Sequence, residues 1–157
     1  MRAYRSQRLG MTIDIPDGWT YTENTDFMQN QLDMSFESAN ATPLVLFKTL
    51  NYSEVGRITI SQLTKIYPSL SEWKIGLKSH LEALTKVGYR HKGSLDLGRN
   101  IGTIRNTGIP FTVIESLVNG DDVLQIYAYV NQRIICFFTL ERQSHGALEE
   151  VVGSLRF

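Results

Sequence analysis

The sequence predicts an α+β protein: a central antiparallel β-sheet flanked by helices, an α/β/α sandwich. Three observations predict it. Residues 70–87 carry a long one-sided helical stripe. Residues 111–140 read as three strands joined by tight turns, and strands joined that closely run antiparallel. In these strands both alternating sets of side chains are largely apolar, so this sheet is covered on both faces. Strands, then a helix, then consecutive strands, then a terminal helix is an α+β order and not the βαβ alternation of a parallel sheet.

Taken in order, the chain alternates loosely up to a turn at Arg8-Leu9-Gly10. Met11, Ile13 and Ile15 then recur at period two, the mark of a half-buried strand. Pro16-Asp17-Gly18 reverses the chain, with proline and glycine where a type I turn wants them. Trp19 follows and is expected to cover one end of the core. Residues 19–31 read as irregular. Leu32, Met34 and Phe36 alternate with polar residues as another strand. Residues 38–42 turn, and Leu44-Val45-Leu46-Phe47 reads as a strand covered on both faces. Residues 51–66 are open between a weak strand near 57–60 and an extended loop.

The helix is the clearest element. Ser69 and Glu72 stand at capping-box spacing, where the serine accepts an orphan N–H. Leu70, Trp73, Leu77, Leu81 and Leu84 form one stripe. Lys74, Lys78, Glu82 and Lys86 lie off it, and Gly88 supplies a left-handed stop. Period two returns with Leu95 and Leu97. Asn119-Gly120 tolerates the positive φ of a two-residue hairpin. Asn131-Gln132 turns the chain again. Leu148, Val151, Val152 and Leu155 make the stripe of a short last helix.

The length of 157 residues fits a single domain spanning 1–157. Its 16 Lys+Arg match 16 Asp+Glu, which argues against a nucleic-acid-coating protein. No aromatic-rich basic motif for nucleic acid occurs either. The longest apolar run, 134–138, is far short of the roughly 20 residues of a membrane span. One cysteine, Cys136, excludes an intrachain disulfide; inside an apolar strand it reads as a small buried hydrophobe. The first eight residues hold arginines but no apolar stretch. The expected compartment is therefore cytoplasmic if the chain is complete, and extracytoplasmic if an export signal has been removed.

Here the residues resemble a known family. Tyr4 to Gly10, then Met11-Thr12-Ile13-Asp14-Ile15-Pro16-Asp17-Gly18-Trp19, look like the opening of the PsbP-like (Mog/PsbP) superfamily: short strand, turn, strand, and a Pro-x-x-Trp corner. The long middle helix, the antiparallel meander and the short last helix match in order and size. The resemblance implies the fold. It also implies a non-enzymatic protein-binding or scaffold role, since the known members are mostly photosystem assembly or stabilising subunits, a Ran-binding factor, lipoprotein ectodomains and Eag-type secretion chaperones. No catalytic set runs through them, so the resemblance carries over no site residue, and a fold with several roles does not select one.

Residue by residue, the chemistry is sparse. His80, His91 and His145 have no histidine or cysteine at metal-ligand spacing. There is no phosphate loop and no nucleophile elbow, and no cofactor is expected. Charge is placed unevenly: residues 55–105 hold nine Lys+Arg against three Asp+Glu. Lys86, Arg90, Lys92, Arg99 and Arg105 form a possible basic patch for an acidic partner, or a solvated face. Tyr127 and Tyr129 read as core if a helix covers their face, and form a possible aromatic docking face if none does. Glu115, His80 and His91 are candidates for an enzyme or small-ligand pocket between sheet and helix. The leading expectation is a protein-binding or adaptor domain, monomeric or homodimeric. An Eag-type chaperone, an exported lipoprotein ectodomain and a small-ligand-binding protein or enzyme are the alternatives.

Overall fold

The computed structural model describes residues 2–7, 9–23, 44–63, 65–92, 102–104 and 107–157. The expected strands at 32–36 and near 95–97 lie outside these residues. Ten strands and two α-helices are described: β1 Arg2–Ser6, β2 Met11–Ile15, β3 Trp19–Thr22, β4 Leu44–Leu50, β5 Ser53–Gln62, α1 Leu70–Lys86, β6 Arg90–His91, β7 Gly102–Thr103, β8 Pro110–Val118, β9 Asp121–Val130, β10 Arg133–Thr139 and α2 His145–Gly153. Eight strands form one sheet in the order β3-β4-β5-β10-β9-β8-β6, with β7 also paired to β8, and all its pairings are antiparallel. The β1–β2 hairpin is separate.

The pleat sorts the side chains of this sheet into two cores. On one face Leu44, Leu46, Ile58, Ile60, Ile126, Ile135 and Phe137 pack with Met11, Ile13 and Ile15 of β2 and with Leu148, Val151 and Val152 of α2. The chain end is clipped to β2 as well. Thr12 and Arg156 exchange backbone hydrogen bonds, and the Arg156 guanidinium pairs with Asp14 at 2.9 Å. On the other face Val45, Ile114, Val123, Ile134 and Phe138 pack under Trp73, Leu77, Leu81 and Leu84 of α1. The expected stripe is thus the buried stripe. The Ser69 hydroxyl accepts from the Glu72 N–H at 3.3 Å, and Gly88, at φ +105°, ends the helix. The antiparallel α/β/α sandwich stands as expected.

Two readings of the sequence change. Residues 51–66, left open between weak strand and loop, contain β5, a ten-residue strand paired on both sides. Its polar positions (Arg57, Thr59, Ser61) are interleaved with Ile58 and Ile60, so the period-two signal is there but broken by Gly56. Residues 19–22, read as irregular, form the edge strand β3. An edge strand has one paired side, and its exposed Thr20 and Tyr21 leave no one-faced pattern to read.

Gly56 also explains the Pro-x-x-Trp corner. Trp19 pairs with Lys48, and Lys48 with Gly56, so the Trp19 indole reaches across β4 to lie over β5. A Cβ on Gly56 would sit 3.0 Å from the indole Cη2 and 2.8 Å from Ser144 Oγ. The corner puts Trp19 where only a glycine leaves it room. Gly56→Val is expected to cost about 1–3 kcal/mol by overpacking, read as a lowered urea midpoint with a shift of tryptophan emission. An unchanged midpoint would show that the indole is not seated against β5.

Candidate functional site

The basic patch is placed in part. Lys86, in the last turn of α1, and Arg90, on β6, are exposed. Lys92 is tied to Asp122 at 2.5 Å, and Arg142 approaches the same carboxylate at 3.5 Å. The hydrogen bond from Lys92, ahead of its charge and those of Arg142 and His145, holds the Asp122 carboxyl below its usual range. Asp122 therefore joins the strap after α1 to the β8–β9 turn and to the segment leading into α2. Arg99 and Arg105 lie outside the described residues.

Of the two readings of Tyr127 and Tyr129, the structure takes core and not an exposed docking face. α1 runs over both tyrosines: Trp73 meets Tyr129 at 5.8 Å between ring centroids, and His80 meets Tyr127 edge-on at 5.8 Å. Tyr127 has no exposed surface and Tyr129 is half-buried. The Tyr129 hydroxyl donates to the Tyr67 carbonyl just before the helix. These rings are core because the helical stripe needs an apolar floor, and β9 supplies it. Cys136 is equally buried, and burial pushes its thiol up to about 12.

The histidines come together, but not in a cleft. His91 Nε2 lies 2.9 Å from the Leu81 carbonyl and Nδ1 lies 2.8 Å from Ser116 Oγ. A carbonyl only accepts, so Nε2 carries a proton, and in a neutral ring Nδ1 accepts from the Ser116 hydroxyl. A hydroxyl beside an oriented base is the arrangement of an activated nucleophile. Ser116, however, has no exposed surface, so no substrate atom reaches its Oγ. The pair works as a clamp fastening β6 and β8 to α1. Glu115 points the other way and is exposed. An apolar cleft of about 290 Å³ does occur, lined by Ile104, Phe111, Val113, Ile126 and Val152 with Glu149 beside them. It lies between α2 and β8, on the face of the sheet away from His80 and His91. Among the described residues no group of three or more His, Cys, Asp or Glu side chains is placed to hold a metal ion. No described helix is long and apolar enough to cross a membrane.

What sequence reading missed is the β4–β5 tip. Leu50 and Ser53 close a two-residue turn in which Asn51 (φ +52°) and Tyr52 (φ +64°) are both left-handed. Leu50 is 62% exposed and the Tyr52 side chain is fully exposed. The register shifts between Lys48 and Thr49, leaving Val55 as an extra residue that bulges β5. The signal was the Asn-Tyr pair itself, which stands where Asn-Gly is the usual hairpin turn.

Among solved structures, the chain is similar to the solution structure of cyanobacterial PsbP (CyanoP) from Synechocystis sp. PCC 6803. The TM-score is 0.59 over 99% of this chain and 91% of that one, at 9% sequence identity. The fold is PsbP-like. No family model and no curated protein matches the sequence. At 9% identity, the likeness is one of fold.

Proposed function

We propose that this chain is a non-enzymatic protein-binding domain of PsbP-like fold that engages a protein partner through its β4–β5 tip. The observation that carries the reading is Tyr52. A left-handed tyrosine costs about 1–2 kcal/mol of backbone strain that a glycine would avoid, and here the side chain stays fully exposed. Backbone strain of this kind gathers at ligand clamps and switch regions, and tyrosine is among the residues that dominate interface energetics. The convex tip fits a partner with an apolar cleft. Lys48 and the Glu54–Arg57 ion pair flank it, not the cluster of basic residues that anionic lipid attracts. The scaffold and binding roles implied by the sequence resemblance support the same reading.

Tyr52→Gly tests it. The variant should keep or raise the urea midpoint, since it removes the strained side chain. In quantitative capture from extracts of the native host, it should deplete at least one wild-type partner about tenfold or more. An Ile75→Ser control, on the exposed side of α1, should retain that partner. Identical captured sets for wild type and Tyr52→Gly would sink the reading. The exposed Lys86 and Arg90 favour a second reading, an acidic partner at the basic corner, and Arg90→Glu in the same capture reads that surface.

A further inference from the structure

The sheet face under α1 is not uniformly apolar. Ser61, Cys136, Tyr127 and Thr112 stand directly opposite one another on β5, β10, β9 and β8. None of the four is more than 1% exposed. In the next row Gln125, fully buried, lies between Phe138 and Ile114. Among the described residues, Ser61 Oγ, Thr112 Oγ1, both polar side-chain atoms of Gln125 and, from the helix above, Trp73 Nε1 have no hydrogen-bond partner. The other face of these same strands carries Ile60, Ile135, Phe137, Ala128 and Ile126. One face of these strands is hydrocarbon, and the other has a polar seam beneath its cover.

A buried donor or acceptor without a partner favours any state in which it meets water. Lifting α1 hydrates five such atoms together. Against this stand the four buried stripe residues and the bond from His91 to the Leu81 carbonyl. The ends of the helix suit a swing. Tyr67, three residues before it, is fastened to the β9–β10 turn by its N–H to the Gln132 carbonyl. Gly88, behind it, is left-handed with open space around the position of a Cβ. We propose that α1 is a hinged cover that opens as a unit over this polar row while the strands beneath stay paired.

Cys136, the one thiol of the chain, lies in that row and reports the opening. The full chain is exposed to a thiol reagent (DTNB) at pH 8 across a urea series starting at zero. A hinged cover gives a labelling rate nearly flat in urea at the low end, at least about tenfold faster than global unfolding supplies. Gln125→Leu, which removes two of the unpartnered atoms, should slow that low-urea rate about tenfold. Ile60→Val, on the opposite face of the sheet, should lower the urea midpoint and leave the low-urea rate unchanged. Labelling that follows the global unfolding slope from zero urea would overturn the proposal, as would an Ile60→Val rate that rises in full proportion to its lost stability.

Discussion

Trp73→Ala is expected to lower the free energy of unfolding by about 3–5 kcal/mol, read from urea denaturation with the slope checked against wild type. Trp73 has no exposed surface and heads the largest fully buried side chains. It sits in the first turn of α1, its ring tilted against Tyr129, just after Tyr67 has been fastened to β9 and β10. Truncation opens a cavity where the helix first meets the sheet, and flanking strands relax little because they are paired on both sides. Trp73→Phe separates packing from polarity. It keeps an aromatic floor contact and removes an indole N–H that has no partner, so its loss should stay below about 1.5 kcal/mol. A Trp73→Ala loss of under about 1 kcal/mol would show that α1 is not what closes this face. Because Trp73 lies over the polar seam, the same variant should also speed labelling of Cys136.

How much of this was legible depends on which residues carried a period. The stripe of α1, the Asn119-Gly120 turn and the doubly apolar strands β9 and β10 were readable because each repeats one physical demand several times. The edge strand β3 was not, because only Trp19 among its residues is buried. The strand β5 was half-readable. Its inward polar residues, Thr59 and Ser61, belong to the seam under α1, and a strand facing a polar seam does not alternate cleanly. The seam itself is a product of register. Ser61 and Thr112 are 51 residues apart in sequence and meet in one row only because β10 and β9 lie between them. The setting of Tyr127 and Tyr129 stays open in the sequence for a related reason: they share one face of β9, but sequence does not say which face the helix will take. The Tyr52 tip was overlooked because Asn-Tyr is a weak turn signal, and it is the unsuited residue in that turn that makes the tip informative.

A falling pH should weaken the fold through His80. Burial, and secondarily the nearby His91, pull the His80 ring down from 6.5 to about 4. The folded protein therefore holds His80 neutral between pH 4 and 6.5, where the unfolded chain takes up a proton. The state that binds more protons is favoured as pH falls, so this contribution is fully present above about pH 6.5 and is lost progressively down to about pH 4. Below that both states are protonated and the loss levels off. The shift corresponds to about 3 kcal/mol across the window at about 1.4 kcal/mol per unit. Two groups near the ring titrate outside this window. Tyr127, facing it from β9, is raised well above its usual value, and Cys136 is raised to about 12, so both stay neutral throughout. Asp122, with its carboxyl lowered, loses its contribution only as pH falls below the ordinary carboxylate range. The measurement is the urea midpoint at several values from pH 7.5 to 4.5, for wild type and His80→Gln. The wild-type midpoint should drop through the window and the variant's should be nearly flat, the difference isolating the imidazole from the acid response of the carboxylates. Parallel curves would mean that His80 titrates in contact with water, and that the helix does not seal the sheet at its second turn from the end.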